Sequence, residues 1–267
     1  MTDFNRVLIT GAAGGLGKQL RANAKHYAKT LRLSDIAELG VAAANEEIVQ
    51  CDLGDLDAVM KLTKDVDAVV HLGGIALENT FENILNANIR GTYNIYESCR
   101  KNGIKRVVFA SSNHSIGFWE RDAIIDSDVA HRPDTLYGVS KAFGEDLARF
   151  YFDKFGIETV VIRIGSCFEA PRDRRMLSTW MSYSDFIHLV EQSMTTPDVG
   201  FLVVYGSSNN SKLFWDNSAA KTIGYAPKDS ADDFRDLIMS ETTEPDPKDL
   251  ANKYVGGGFV TQGHYED

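Results

Sequence analysis

The sequence predicts an α/β protein built on a doubly wound parallel sheet of about seven strands. Short runs rich in Val and Ile recur along the chain, and most lack the alternation of polar and apolar residues that marks a half-exposed strand. Several gaps between the runs are long enough to hold a helix, which is typical of parallel strands joined by crossovers. The predicted strands are residues 6–10, 31–34, 48–51, 68–72, 106–110, 159–164 and 201–205.

Helices are predicted between these strands. Segment 136–155 shows the helical period best, because apolar residues recur along one face and Gly156 follows as a stop signal. This apolar stripe consists of Val139, Phe143, Leu147, Phe150 and Tyr151. The predicted helices are residues 15–27, 55–64, 81–101, 136–155 and 183–194.

The composition changes after about residue 165, where strand runs become rarer and proline accumulates. We predict that residues 1–165 form the main core with the best-defined helix. Residues 166–267 are then a small irregular C-terminal lobe, which includes the strand near 201–205 and completes a site within one compact unit. The prolines are Pro171, Pro197, Pro227, Pro245 and Pro247.

Charge and cysteine usage exclude several classes of protein. The 267 residues include 28 Lys+Arg and 38 Asp+Glu, a formal net charge of −10. Such a chain repels phosphate backbones and anionic lipid headgroups, so we expect neither a nucleic acid nor a membrane partner. The three cysteines are widely spaced and fit neither a disulfide framework nor a metal site. The first residues lack the pattern of a signal peptide, which predicts a cytoplasmic location.

Three glycines follow the first predicted strand at GxxGxxG spacing, namely Gly11, Gly14 and Gly17. Gly11 permits a tight turn, Gly14 lets a pyrophosphate approach the backbone, and Gly17 allows close packing of the following helix. The N-terminus of that helix offers unpaired N–H groups to the phosphates. In this strand–turn–helix context the pattern predicts a Rossmann-type dinucleotide site.

Two acidic residues follow the second and third predicted strands. Asp35 lies 18 residues beyond Gly17, close to where an acid binds the adenosine ribose hydroxyls, and it favours NAD over a 2′-phosphorylated cofactor. The alternative is a solvated turn aspartate. Asp52 could accept a hydrogen bond from an adenine amino group, or it could be an acidic residue at the start of a helix, preceding Asp55.

Tyr137 and Lys141 form the only YxxxK pattern of the chain. On a helix this spacing places both side chains on one face, after a fifth strand that ends in Ser111 and Ser112. A tyrosine with an ordinary pKa of about 10 is a poor base at neutral pH, so a cation must stabilise the phenolate. Lys141 and the positive nicotinamide ring could supply that charge, while Ser112 would hold a substrate hydroxyl. Taken singly, Tyr137 could instead pack in the core and Lys141 could be solvated.

Together these patterns resemble the extended branch of the short-chain dehydrogenase/reductase superfamily, the NAD-dependent epimerases/dehydratases. The resemblance rests on GAAGGLG at 11–17, Asp35, CDL at 51–53, HLGG at 71–74, NIRGTYN at 88–94, SSNHS at 111–115 and YGVSK at 137–141. It implies a Rossmann core with NAD as cofactor. The implied NAD-binding residues are Gly11, Gly14, Gly15, Leu16, Gly17, Asp35, Ile36, Asp52, Leu53, Leu72, Gly73, Gly74, Asn88 and Lys141.

Within that branch, residues 111–119, 163–167 and 174–180 resemble uronate dehydrogenases. This resemblance implies oxidation of D-galacturonate or D-glucuronate at C1 to the aldarolactone, with NADH as second product. Only about a hundred residues follow the sixth strand, which favours a small substrate over a nucleotide sugar. The alternatives are an NAD-dependent sugar epimerase or dehydratase and a non-catalytic NAD sensor. The family also implies a homo-oligomer that pairs through the helices holding NIRGTYN and YGVSK.

The resemblance also implies a set of substrate-binding residues. Arg175 offers a planar fork to the uronate carboxylate, although Arg172 and Arg174 are near in sequence. Phe259 would either close over the sugar or simply pack. Ala76 stands where a serine is expected, so one substrate hydrogen bond is either missing or replaced by a water. The substrate-binding set is Ser112, Asn113, His114, Tyr137, Ser166, Arg175 and Phe259, and the catalytic set is Ser112, Tyr137 and Lys141.

Overall fold

Seven parallel strands form the central sheet of the computed structural model, which describes residues 4–24 and 28–266. They are β1 (Phe4–Thr10), β2 (Ala28–Asp35), β3 (Glu46–Gln50), β4 (Ala68–His71), β5 (Arg106–Ser112), β6 (Glu158–Ile164) and β9 (Phe201–Gly206), while β7 (Ser166–Cys167) and β8 (Trp180–Met181) form a separate pair. The strand order is β3-β2-β1-β4-β5-β6-β9. The chain therefore adds strands on one side of β1 up to β3 and then crosses to add β4 on the other side, while all strands stay parallel. Sheets of this kind bind ligands at this reversal in strand order, beyond the carboxyl ends of the strands.

Both faces of the sheet are buried, as the missing alternation predicted. In β1, Val7 and Ile9 belong to the apolar cluster on one face, whereas Leu8 belongs to the cluster on the other. Phe186 packs in the first cluster and Tyr96 in the second. The predicted fold class is confirmed, and each of the seven predicted strands overlaps an observed one.

Each of the five predicted helices begins within a residue of an observed helix. The helices of the described residues are α1 (Gly15–Asn23), α2 (Leu56–Leu62), α3 (Phe81–Ile84), α4 (Gly91–Asn102), α5 (Leu136–Phe155), α6 (Met176–Thr179), α7 (Tyr183–Thr195), α8 (Arg235–Glu241) and α9 (Leu250–Lys253). The short helices α6, α8 and α9 were not predicted from the sequence. The predicted helix 81–101 contains a π-helical turn, Leu85–Arg90, between α3 and α4. The end of the predicted helix 15–27 lies partly outside the described residues. Gly156 ends α5 with a φ of +64°, as the stop signal predicted.

The apolar stripe of α5 is mostly not the face that the helix buries. Val139 and Phe150 are each 44% exposed, Phe143 and Leu147 are half-buried, and only Tyr151 of the stripe is buried. The period of the apolar residues cannot identify the inward face here, because that face carries small and polar side chains that form the site. Its buried residues are Tyr137, Gly138, Ser140, Lys141, Ala142, Gly144, Glu145, Ala148 and Tyr151.

The chain beyond β6 consists mostly of short elements around the carboxyl ends of the strands. β9 pairs with β6 and extends the main sheet, so the strand predicted near 201–205 is confirmed. Trp215 stacks on Tyr205 at 4.7 Å and packs with Ile125 and Val255 in a small apolar cluster. The boundary at residue 165 stays a prediction. Within 4–24 and 28–266, no helix has the length and apolar character needed to cross a membrane.

Candidate active site

A cleft of about 980 Å³ opens beyond the carboxyl ends of the strands, beside the reversal in strand order. Its volume is at the upper end of the range found for small-molecule and cofactor sites. The glycine-rich loop after β1 lines one end, and Tyr137, Arg175 and Phe259 line the other. Every site residue predicted from the sequence lines this cleft except Asn88 and Asn113, which lie buried behind its walls.

The glycine-rich loop has the close backbone packing that its spacing predicted. Gly11 has a φ of +69°, and a Cβ at this position would lie 2.7 Å from the carbonyl carbon of Leu72. A Cβ at Gly17 would lie 2.2 Å from the carbonyl oxygen of Gly11. Gly14 is the N-cap of α1, and because it has no side chain it caps none of the N–H groups of the helix. A Cβ at Gly15 would have no other atom within 4 Å. The loop therefore leaves backbone N–H groups accessible to a pyrophosphate.

Asp35 is tied to the glycine-rich loop. Its Oδ2 accepts a hydrogen bond from Ala13 N at 3.0 Å, and its Oδ1 accepts one from Ala37 N at 3.0 Å. Arg32, the nearest cation in sequence, instead forms an ion pair with Glu47 at 2.7 Å. A 2′-phosphate beside Asp35 would therefore be repelled by the carboxylate, and Arg32 would not be available to neutralise it. This arrangement fits the free ribose hydroxyls of NAD.

Asp52 lines the cleft, and its Oδ1 accepts a hydrogen bond from Gly54 N at 2.8 Å. The N-cap of α2 is Asp55, which accepts from Ala58 N at 3.1 Å. Asp52 therefore lies just before the N-cap of α2, which is the alternative position considered for it. Contact of Asp52 with an adenine amino group stays a prediction.

Asn88 holds the loop after β4 in place from behind the cleft. Its Oδ1 accepts from Ile75 N at 2.7 Å, and its Nδ2 donates to Ile75 O at 2.9 Å and to Ser140 Oγ at 3.0 Å. Gly74 has a φ of +132°, and a Cβ there would lie 2.9 Å from Asn88 Oδ1. Asn88 therefore connects the loop that lines the cleft to α5.

Ser112, Tyr137 and Lys141 meet at the centre of the cleft. Lys141 Nζ donates to Ala110 O at 2.8 Å and lies 5.6 Å from the centre of the Tyr137 ring. Burial lowers the pKa of Lys141 to about 8, and Glu145 acts in the opposite direction. Burial raises the pKa of Tyr137 to about 12, although a hydrogen bond with Ser112 lowers it. These residues alone therefore leave Tyr137 protonated at neutral pH.

His71 lies beneath the cleft and is held neutral. Its Nδ1 pairs with Thr10 Oγ1 at 2.8 Å and its Nε2 with Thr92 Oγ1 at 3.3 Å. Burial lowers the pKa of His71 to about 3, and the charge of Lys141 lowers it further. The unfolded chain binds a proton at an ordinary histidine pKa of about 6.5, so His71 opposes folding increasingly as the pH falls below that value.

We expect this histidine to make the fold acid-sensitive. Between pH 6.5 and pH 5, His71 lowers the free energy of unfolding by about 2 kcal/mol, because protons bind to it only in the unfolded chain. Urea unfolding of the wild type and of His71→Asn at both pH values measures the effect. The wild type loses about 2 kcal/mol more than the variant over this interval. Equal losses in the two proteins would show that His71 is not held neutral.

Arg175 lies at the substrate end of the cleft. Its Nε and Nη2 donate to Val255 O at 3.0 and 2.8 Å, and its Nη1 donates to Ser166 Oγ at 3.3 Å. With the Asn113 amide turned to satisfy its neighbours, Asn113 Oδ1 accepts from Arg175 Nη2 at 2.8 Å and Nδ2 donates to Ile164 O at 3.1 Å. The residue is half-buried, and burial lowers the pKa of Arg175, although the charges of Asp173 and Asp134 act in the opposite direction.

The three arginines of this segment take different positions. Arg174 forms an ion pair with Glu244 and donates to Thr242 O at 2.9 Å. The guanidinium of Arg172 stacks over the Phe168 ring at 4.1 Å. Of these three arginines only Arg175 lines the cleft. Of the three, Arg175 is the one placed to meet a ligand in the cleft, and its binding of a carboxylate stays a prediction.

Two residues that contribute to this site were missed in the sequence. The carboxylate of Glu78 accepts from the backbone N–H groups of Leu136 and Tyr137 at 3.1 and 2.8 Å, so it holds the first turn of α5. Asp134 Oδ2 accepts a hydrogen bond from His114 Nδ1 at 2.7 Å. Glu78 is separated from Tyr137 by 59 residues, and no local pattern indicates that contact.

Comparison with known proteins agrees with this geometry. The model of the NAD dependent epimerase/dehydratase family matches residues 7–183. The chain belongs to the NAD-dependent epimerase/dehydratase family. NAD is the cofactor in the name of the family, and the glycine-rich loop and Asp35 fit it.

Three known proteins show high similarity to the chain. A uronate dehydrogenase of Pseudomonas syringae pv. tomato is 53% identical over 267 residues, which are all of this chain and 97% of the relative. The crystal structure of glucuronic acid dehydrogenase from Chromohalobacter salexigens is 50% identical, covers 99% of both chains and superposes with a TM-score of 0.97. A mutant uronate dehydrogenase from Agrobacterium tumefaciens, complexed with NAD, is 49% identical over 97% of this chain and 98% of its own, with a TM-score of 0.94.

Proposed function

We propose that this chain oxidises D-galacturonate or D-glucuronate at C1 to the aldarolactone while NAD is reduced to NADH. It is an NAD-dependent oxidoreductase, and its relatives at about half identity are uronate and glucuronic acid dehydrogenases. The assignment of individual roles to the site residues is part of this proposal.

The observation that carries the proposal is the state of Arg175. Its guanidinium lines the cleft, is half-buried and donates to Val255 O and Ser166 Oγ, but among the described residues it forms no ion pair with a carboxylate. A partly desolvated cation that no carboxylate contacts directly is costly, and an anionic ligand reduces that cost. A uronate differs from a neutral sugar by such an anion. Asn113 and Ser166 lie beside the same guanidinium and can bind the neighbouring oxygens of the sugar.

The reaction needs one proton and one hydride to leave the sugar. Tyr137 accepts the proton of the C1 hydroxyl as the C1–H bond breaks and the C1=O bond of the lactone forms. Ser112 orients the hydroxyl, and the charge of Lys141 stabilises the phenolate of Tyr137. When bound, NAD supplies the hydride acceptor and a positive charge near Tyr137. Because burial raises the pKa of Tyr137, an added positive charge favours its phenolate.

The two alternatives differ in measurable ways. A sugar epimerase or dehydratase returns the hydride to the sugar, so it produces no net NADH. An NAD sensor does not require Ser112, Tyr137 and Lys141 to meet in one cleft, as they do here. The cytoplasmic location and the homo-oligomer remain predictions from the sequence.

The test is the increase in absorbance at 340 nm when the protein is mixed with NAD and one of four sugars. The sugars are galacturonate, glucuronate, glucose and a nucleotide sugar. NADH is expected with the two uronates and not with glucose, because glucose lacks the carboxylate that Arg175 binds. Equal rates with glucose would contradict the role of Arg175. No increase in absorbance with any of the four sugars would favour the epimerase or the sensor.

A further inference from the structure

The carboxylate of Asp134 is enclosed at the back of the substrate end of the cleft. Its side chain is 0% exposed, and it accepts hydrogen bonds from His114 Nδ1 at 2.7 Å and from Thr135 Oγ1 at 3.0 Å. Three glycines from separate segments leave it room. A Cβ at Gly117 or Gly256 would lie 1.9 Å from Asp134 Oδ2, and a Cβ at Gly138 would lie 3.2 Å from Asp134 Oδ1.

Two aromatic rings contact the His114 ring and fix its orientation beside the hydrogen bond to Asp134. It stacks on Phe259 with ring centres 3.8 Å apart, and it meets the Tyr137 ring edge-on at 5.9 Å. The backbone around it is also fixed, since His114 N donates to Ser112 Oγ at 3.2 Å at the start of a 3₁₀ turn. The ring therefore presents its Nδ1 to Asp134 in a defined orientation.

This contact decides which ring nitrogen carries the proton. An ionised carboxylate can only accept, so the shared hydrogen belongs to His114 Nδ1, and the neutral ring then has a lone pair on Nε2. His114 lines the cleft, and its Nε2 has no hydrogen-bond partner within the part of the chain that the structure describes. The ring thus offers the cleft a hydrogen-bond acceptor.

We propose that Asp134 is a positioning residue that fixes His114 in the tautomer whose Nε2 accepts a hydrogen bond from a hydroxyl of the sugar. The part of this inference that concerns the sugar rests on the proposed function. The sugar then meets an acceptor at His114 and donors at Arg175. A carboxylate only accepts, so it is disfavoured at His114 Nε2 and favoured at Arg175. The two ends of the pocket thereby fix the direction in which the uronate binds.

The tautomer can be observed without any substrate. The protein is labelled with ¹⁵N at histidine, and long-range proton–nitrogen correlation spectra show which ring nitrogen of each histidine is protonated. The His114→Gln variant identifies the His114 signals, because one ring pattern disappears. We expect the wild-type ring to carry its proton on Nδ1. A proton on Nε2 would overturn the inference, and this measurement does not depend on how any Asp134 variant folds.

The kinetic test uses Asp134→Asn, which keeps the shape of the side chain and removes the charge. The amide can donate to Nδ1, so the ring shifts toward the form protonated on Nε2 and no longer accepts there. We expect KM for galacturonate to rise about tenfold, with kcat changed less than about threefold and KM for NAD unchanged. The matched control is Asp122→Asn, which removes one charge from an exposed position on the same segment.

An unchanged KM in Asp134→Asn, equal to that of Asp122→Asn, would overturn the role assigned to Asp134. A rise in KM together with the wild-type tautomer pattern would also overturn it, because the effect would then not pass through His114. If neither uronate is oxidised by the wild type, the proposed function fails, whereas the tautomer measurement still decides the state of His114. The two failures can therefore be told apart.

Discussion

Replacing Tyr137 with phenylalanine is expected to lower kcat for uronate oxidation by about 10³-fold, in the middle of the range for loss of a general base. The variant lacks the oxygen that accepts the C1 hydroxyl proton, while Lys141 and Ser112 remain in place. The measurement is steady-state NADH production with galacturonate at saturating NAD.

The control for Tyr137→Phe is Tyr96→Phe. Tyr96 is a buried tyrosine in the core below the sheet, where its hydroxyl contacts Thr159 Oγ1 at 3.3 Å. This substitution removes the same oxygen at a position that does not line the cleft, so we expect nearly full turnover with a small loss of stability. Tyr137→Phe should keep its thermal transition and its affinity for NAD. Near-full turnover in Tyr137→Phe would contradict the mechanism.

Replacing Arg175 with methionine is expected to raise KM for galacturonate about 100-fold, because a charge-assisted hydrogen bond contributes about 1.5–3 kcal/mol. The effect should be confined to substrates with a carboxylate. Any slow oxidation of glucose should change little, so the preference for uronates over glucose falls by a similar factor. The measurement is kcat/KM for each sugar in the wild type and the variant.

Two further variants separate charge from geometry at this position. Arg175→Lys keeps the charge and loses the planar fork, so we expect an intermediate KM. Arg174→Met is the matched control, since Arg174 bonds to Thr242 and Glu244 outside the cleft, and its KM should change less than about threefold. An unchanged KM in Arg175→Met, or an equal rise in Arg174→Met, would contradict the role of Arg175.

The sheet and the dinucleotide loop could be predicted because their determinants are local. A strand buried on both faces is recognised as a short continuous apolar run. The turn that brings Gly11 into contact with Leu72 requires glycine because a Cβ would collide with the Leu72 backbone. The face of α5 could not be predicted in this way. Its inward side chains include Ser140, Lys141 and Glu145, which a count of apolar residues assigns to solvent.

The supporting residues of the site could not be predicted, because their partners are remote in sequence. The backbone carbonyl of Val255 accepts from Arg175, 80 residues away in the chain. A main-chain carbonyl is present in every residue, so the sequence does not indicate this contact. Glu78 lies in a loop and reaches the first turn of α5, which already has its own cap in Thr135. Asp134 directly precedes that cap, so its local setting indicates a helix start and not a partner for His114.

The most direct test of the central claim is the oxidation of galacturonate that carries deuterium at C1. If the chain removes a hydride from C1 and passes it to NAD, the NADH produced contains the deuterium, and one NADH forms for each sugar consumed. NADH without deuterium would contradict oxidation at C1. A sugar altered without net formation of NADH would contradict the assignment as a dehydrogenase.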